Sequence, residues 1–139
     1  MTAEPAGRAV RLVVPSDPFA VREALHRLFV ALDTLPEDDR STAELVLAEA
    51  LNNIVEHAYA RWQGEIEIVV QQIDTALVCT IVDHGDLMPG GHLPDGLPPT
   101  ARLAEGGFGW HLIRALASDL KYRRIGHRNE LTFRLEWGQ

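Results

Sequence analysis

The stretch 44–59 constrains the fold of this chain more than any other. It reads Glu-Leu-Val-Leu-Ala-Glu-Ala-Leu-Asn-Asn-Ile-Val-Glu-His-Ala-Tyr. We assign to one apolar stripe the leucine, valine and isoleucine residues at 45, 47, 51, 54 and 55, together with Ala48 and Ala58. This spacing is typical of a helix that turns one face toward a core. The acidic run 36–39 before it suits the positive end of a helix dipole. The sequence therefore predicts one helix that begins near Pro36 and runs to about Tyr59.

Two polar pairs lie within this predicted helix. Glu49 and Asn53 are four residues apart, so their side chains lie one above the other on one face. Asn52 and Glu56 form a second such pair. A carboxylate and an amide one turn apart can hold a metal ion and a hydroxyl or water between them. The same spacing also gives an ordinary hydrogen bond on a solvated face, so the pair alone does not decide its role.

Length and charge restrict the class of protein. With 139 residues the chain suits one domain, which we place at 8–139 after a flexible tail at 1–7. The net charge of −7 argues against direct nucleic-acid binding, because phosphate binding favours a basic face. The single cysteine, Cys79, cannot form an internal disulfide, which favours a cytoplasmic location. No apolar run approaches the roughly 20 residues of a membrane span.

The remaining pattern alternates between strand and helix signals. We predict strands at 8–14, 65–70, 76–82, 121–125 and 131–137, helices at 19–32 and 110–120, and turns at 74–75 and 126–129. This order predicts an α/β fold of the two-layer α+β sandwich type. A mixed, mostly antiparallel sheet would pack one face against three helices.

A proline- and glycine-rich loop separates two short glycine motifs. Asp83-His84-Gly85-Asp86 closes a strand, and the segment 86–107 then holds four of the eight prolines and five of the eleven glycines. Such long loops serve as lids or binding loops, or are disordered insertions. Gly106-Gly107-Phe108-Gly109 then leads into a helix, where backbone N–H groups can meet a phosphate. A lone Gly-Gly-x-Gly is a weak signal of phosphate binding.

Taken in order, these motifs resemble the ATP-binding domain of the GHKL superfamily, which has the Bergerat-type fold and includes histidine kinases, Hsp90 chaperones and MutL. The match is closer to the RsbW and SpoIIAB-type anti-sigma factor serine kinases. Residues 47–59 resemble their N box, 81–86 their first glycine box and 105–113 their second. The resemblance extends from about residue 8 to residue 137, with the lid at about 86–107.

The resemblance implies roles for three polar residues. Asn53 would coordinate Mg²⁺ that bridges the phosphates of ATP, since an amide oxygen suits a hard cation. Glu49 would act as the general base that takes the proton of the attacking serine hydroxyl. Asp83 would accept a hydrogen bond from the adenine amino group.

The resemblance also implies roles for residues of the glycine boxes and the late strand. Gly85 would let the backbone pass close to the base, although a turn glycine also fits this position. Gly107 and Gly109 would offer N–H groups to the phosphates. Thr132 would help to bind adenine, or would be a plain strand threonine. For the triphosphate we find only Arg102 as a basic candidate, and an exposed solubilising arginine fits it as well.

The implied function is that of an ATP-dependent serine/threonine protein kinase acting as an anti-sigma factor. It would phosphorylate a small antagonist protein, bind a sigma factor and form a homodimer, with residues 8–32 as one contact surface. A non-catalytic module that sequesters its partner is the main alternative, and Glu49 favours the enzyme because a pure binder needs no base. A detached histidine-kinase catalytic domain fits the N box less closely.

Overall fold

A computed structural model describes residues 8–94 and 108–137. The strands are β1 (Ala9–Pro15), β2 (Glu65–Ile73), β3 (Ala76–Asp83), β4 (Ser118–Ile125) and β5 (Arg128–Glu136). The helices are α1 (Pro18–Ala31), α2 (Glu37–Asn53) and α3 (Phe108–Leu116). A π-helical turn, Ile54–Ala58, extends α2, and a short 3₁₀ turn spans Pro89–Gly91. In these two ranges no helix combines the length and the apolar character needed to cross a membrane.

The five strands form one sheet in the order β1-β2-β3-β5-β4. Each neighbouring pair is antiparallel, so the described sheet lacks the parallel pairing that a mixed sheet would contain. The predicted hairpin turn at 74–75 is confirmed, because Ile73 pairs with Ala76. The predicted turn at 126–129 is too long, since Ile125 pairs with Arg128. Gly126, at φ +62°, allows this tight two-residue turn.

One face of the sheet carries the core. Alternate side chains of β2, β3 and β5 point toward the helices and are buried, as the period of two along a strand requires. Most of the intervening side chains are half-exposed on the other face, although Ala76 and Val82 of β3 are buried there. The predicted α/β two-layer arrangement with helices on one face is therefore confirmed. The inward set is Ile66, Ile68, Val70, Leu77, Cys79, Ile81, Leu131, Phe133 and Leu135.

The buried stripe of α2 differs from the predicted one. Leu45, assigned to the core from the sequence, is 44% exposed, whereas Ala43 and Ala50 are 1% exposed. The packed positions are Ala43, Val46, Leu47, Ala50 and Leu51. Small alanine side chains permit close helix packing, and α2 contacts both α1 and α3. The predicted stripe was therefore wrong in part: it included the half-buried Ala48 and Ala58 and left out the buried Ala43, Val46 and Ala50.

The helix predicted at 110–120 was wrong at its carboxyl end. Helix α3 stops at Leu116, and Ser118 already begins β4. Asp119 has φ +52°, and the register of β4 against β5 shifts between Ser118 and Lys121. Such a bulge lets the chain turn directly from helix to strand, and pairing with β5 overrides the local helix preference.

Candidate functional site

A pocket of about 210 Å³ lies where α2, the end of β3, the segment after β3, α3 and the last hairpin meet. It joins two polar residues singled out from the sequence, Asn53 and Asp83, which lie on different elements. Most of the wall is apolar. The lining residues are Ala50, Asn53, Ile54, His57, Ala58, Asp83, Asp86, Leu87, Met88, Pro89, Trp110, Tyr122, Asn129 and Leu131.

Asp83 is the buried acid of this pocket, with only 3% of its surface exposed. Its Oδ1 atom accepts hydrogen bonds from the Gly85 N–H and the Asn129 amide, each at 2.8 Å. Within the described residues, Oδ2 has no hydrogen-bond partner. Burial raises the pKa of the Asp83 carboxyl, while the Asn129 and Gly85 hydrogen bonds oppose that rise. One carboxylate oxygen is thus fixed, and the other is available to a donor in the pocket.

Asn129 holds Oδ1 of Asp83 in place through its amide group. It was not identified from the sequence as a site residue, because residues 126–129 were assigned to a turn. It is the first inward-facing residue of β5, paired with Asp83 of β3 and only 4% exposed. Its amide nitrogen also donates to the carbonyl of Asp86 at 2.9 Å. The alternation of Leu131, Phe133 and Leu135, extended back by two residues, was the signal that could have placed it inward.

Gly85 lies against the end of the central helix. A Cβ atom built on it would be 2.3 Å from the carbonyl oxygen of Ala58, in the π-helical turn. The same carbonyl accepts the Asp86 N–H at 2.8 Å. The structure therefore supplies a packing reason for glycine at this position, because only a hydrogen atom fits between the two backbones. π-Helical turns are frequent at functional sites, and this one directly follows Asn53.

Glu49 reaches the start of α3. Its Oε2 atom lies 2.8 Å from the place that a Cβ on Gly109 would occupy. The structure thus brings together residues from the N box and the second glycine box. Glu49 is half-buried and lies one helical turn before Asn53, beside the pocket lining.

Comparison with known proteins identifies the family of this domain. The sequence model of the histidine kinase-like ATPase domain matches residues 14–135. The chain belongs to this family. Two relatives are the serine-protein kinases RsbW of Bacillus thuringiensis (strain Al Hakam) and Bacillus cereus (strain 03BB102), each 32% identical over 90 residues. That match covers 60% of this chain and 56% of each relative, so it spans little more than half of their length.

A solved structure shows the same fold. The RsbU and RsbW domains of Rv1364c from Mycobacterium tuberculosis superpose with a TM-score of 0.64 over 93% of this chain and 32% of that one. The sequence identity is 16%. Together with the family match and the relatives, this likeness confirms the predicted resemblance to RsbW-type members of the GHKL superfamily and the Bergerat-type fold.

The family motifs are not all assembled at the pocket. Thr132 lies three residues after Asn129 on β5, and is half-exposed on the opposite face of the sheet, beside Thr80. The predicted contact of Thr132 with adenine is therefore wrong, because strand alternation turns its side chain away. Gly107 and Arg102 lie outside the described residues, as do residues 1–7 and the part of the predicted lid (86–107) from 95 onward.

The pocket of this ATPase-family domain suits a planar base with an amino group. Apolar side chains such as Ile54, Met88 and Leu131 can pack against the faces of the ring. Oδ2 of Asp83, which bonds to no residue in the described ranges, is a buried acceptor that water cannot fully solvate, so a ligand donor there would be favourable. Among the described lining residues there is no lysine or arginine.

Proposed function

We propose that this chain is an ATP-dependent serine/threonine protein kinase that acts as an anti-sigma factor in a partner-switching system. It phosphorylates a serine of a small antagonist protein and, in the alternative complex, holds a sigma factor. The observation that carries the proposal is Oδ2 of the buried Asp83, which bonds to no described residue and lies in a largely apolar pocket that also contains Asn53. Relatives named serine-protein kinase RsbW support the reaction class.

In this proposal Asp83 recognises the base. Oδ2 accepts a hydrogen bond from the adenine amino group, while Oδ1 stays bound to Gly85 and Asn129. The role of Gly85 is to bring the chain close to Ala58, which places Asp83 and Asp86 at the pocket. Gly107 and Gly109 offer backbone N–H groups to the phosphates.

Asn53 and Glu49 serve the phosphoryl end. The Asn53 amide oxygen, at the carboxyl end of α2, would hold Mg²⁺. When bound, Mg²⁺ supplies positive charge that offsets the charge on transferring phosphates. Glu49, one turn earlier, takes the proton of the serine hydroxyl as general base. Its position beside the start of α3 keeps the carboxylate close to the second glycine box.

A non-catalytic nucleotide-binding or sequestering module is the second candidate. One observation favours it: the described pocket lining offers no lysine or arginine to a triphosphate. A protein that only binds its partner needs no such contact. It also needs no base, so the position of Glu49 favours the kinase.

Partners and assembly are part of the proposal. The net charge of −7 suits a basic partner such as a DNA-binding sigma factor. We place the homodimer contact on residues 8–32, because β1 is an edge strand whose outer side lacks a partner strand within the described sheet. We further propose that residues 8–139 form a single domain with a lid at about 86–107. The proposed location is the cytoplasm.

The proposal is tested by ATP binding in a calorimeter, with and without Mg²⁺. The wild type is compared with Asn53→Ala and with Asn52→Ala, a matched control because Asn52 is exposed on the same turn of the helix. We expect Mg²⁺-dependent binding that Asn53→Ala abolishes and Asn52→Ala retains. Absence of binding in the wild type would favour the sequestering module.

A second assay separates the kinase from a nucleotide-binding module. Glu49→Gln should retain ATP binding and slow phosphoryl transfer to the antagonist by about 10²-fold, as loss of a general base does. Transfer at the wild-type rate would refute the assignment of Glu49 as the base. Binding without transfer in the wild type would support the module.

A further inference from the structure

Tyr122, on β4, connects two parts of the pocket that are distant in sequence. Its hydroxyl donates a hydrogen bond to Oδ1 of Asn129 at 2.6 Å and accepts one from the Met88 N–H at 2.9 Å. Both Asn129 and Met88 line the pocket, as does Tyr122 itself. One hydroxyl thus links the segment after β3 to the residue that holds Asp83.

The hydrogen bonds of Asn129 are directional. Its Oδ1 accepts from Tyr122 and from Arg124, and its amide nitrogen donates to Asp83 and to the Asp86 carbonyl. The Tyr122 and Arg124 donors require the oxygen on their side, so the NH₂ group must face Asp83. This orientation keeps Oδ1 of Asp83 occupied and leaves Oδ2 for a ligand donor.

We propose that Tyr122 is a positioning residue for recognition of the nucleotide base, acting through Asn129 and Met88. The inference rests on the proposed function, since it assigns a determinant of base affinity and selectivity within the same site. The hydroxyl holds the Asn129 amide against Asp83 and holds the Met88 backbone in the pocket wall. Without it, the Met88 N–H loses its partner and the Asn129 oxygen retains only Arg124.

The chain offers a matched control in Tyr59. Its hydroxyl also bridges two groups, donating to the Glu65 carbonyl at 2.7 Å and accepting the His84 N–H at 2.8 Å. Tyr59 is buried, and it is absent from the described pocket lining. Replacing either tyrosine by phenylalanine removes one hydroxyl and two hydrogen bonds, but only Tyr122 is among the described lining residues of the pocket.

The test compares ADP and GDP binding to the wild type, Tyr122→Phe and Tyr59→Phe by calorimetry, with urea unfolding of all three. We expect Tyr122→Phe to raise the Kd for ADP about fivefold, as loss of a hydrogen bond does, and to reduce the preference for ADP over GDP. Tyr59→Phe should lower the urea midpoint yet leave the Kd within about twofold, because its two partners, Glu65 and His84, are not among the described lining residues and its hydroxyl does not bond Asn129. A purely structural role for Tyr122 would lower the midpoint without changing base preference.

Two further results of this comparison would also overturn the inference while leaving the proposed function intact. One is wild-type ADP affinity and selectivity in Tyr122→Phe. The other is an equal loss of affinity in both variants. If the wild type itself binds no ADP, the proposed function fails and this inference fails with it.

A measurement on the wild type alone gives an independent check. If the bond between Tyr122 and the Met88 N–H belongs to the binding-competent pocket, saturating ADP should slow hydrogen exchange at Met88 at least about tenfold, because ligand binding opposes local opening. Unchanged exchange at Met88, with ADP bound, would contradict the proposal.

Discussion

Oε2 of Glu49, on α2, lies 2.8 Å from the position that a Cβ atom on Gly109, near the start of α3, would occupy. Even the smallest side chain at position 109 would require the carboxylate to move. Because Glu49 and Asn53 share one helical face, this contact connects the proposed base, the proposed metal ligand and the second glycine box.

Gly109→Ala should therefore reduce phosphoryl transfer without unfolding the domain. The nearest contact is the end of a flexible side chain, which can rotate away, and alanine favours helix over glycine by up to about 1 kcal/mol. A base displaced by about 1 Å can lose up to about 10²-fold in rate, so we expect a loss of at least tenfold. Radiolabelled transfer assays and urea unfolding measure the two effects. Transfer at the wild-type rate would show that the contact does not position Glu49.

Gly85→Ala, in contrast to Gly109→Ala, should reduce the free energy of unfolding of the domain. Its Cβ would lie 2.3 Å from the Ala58 oxygen and 2.6 Å from the Ala58 carbonyl carbon, both backbone atoms that cannot rotate away. We expect a loss of about 1–3 kcal/mol in the free energy of unfolding. Gly126→Ala is the control: it meets no atom within 4 Å but has φ +62°, so only backbone strain of about 1–2 kcal/mol applies. A Gly85→Ala protein as stable as the wild type would contradict the tight contact.

Asp83→Asn should affect ADP affinity and the free energy of unfolding in different ways. Burial raises the pKa of Asp83 above its ordinary value of 3.8. In the window between that value and the higher folded pKa, the folded protein binds more protons than the unfolded chain, so stability falls as pH rises through it. At neutral pH the buried charge remains a cost, which an amide removes while its oxygen can still accept from Gly85 and Asn129.

We therefore expect Asp83→Asn to be at least as stable as the wild type at pH 7 and to lose affinity for ADP. The stability difference should shrink as the pH falls toward 3.8, where the wild-type carboxyl also becomes neutral. Urea unfolding at several pH values and calorimetry at pH 7 provide the measurements. Unchanged ADP affinity would exclude Asp83 as the adenine acceptor.

Cys79 should report unfolding. It has 0% exposure, and burial raises the pKa of its thiol to about 12, so little reactive thiolate is available in the folded protein. A thiol reagent at pH 8 should label the native chain only as fast as it opens, and rapidly in urea. Saturating ADP should slow the labelling further, because a ligand that binds the folded state reduces opening. Fast labelling without denaturant would mean that β3 is not buried as described.

Residues 44–59 show what a local sequence pattern can predict about this fold and what it cannot. Helical spacing placed Glu49 and Asn53 on one face, and the hairpin turn at 74–75 followed from local turn chemistry. The stripe of α2 was misassigned because Ala43 and Ala50, which local hydrophobicity ranks below Leu45, are the residues that fit between helices. The end of α3 was misassigned because β4 gains its hydrogen bonds from β5, which follows it in the chain.

The order of elements, the polar face of the central helix and the place of Asp83 in a motif could be predicted before the fold was known, since they depend on spacing along the chain. The paired strands were needed to show that Asn129, and not Thr132, faces Asp83, because a shift of one residue in strand register reverses every side chain. The tertiary structure also gives a packing reason for glycine at positions 85 and 109. Their neighbours, Ala58 and Glu49, are distant in sequence, and only packing brings them within 3 Å of the missing Cβ atoms.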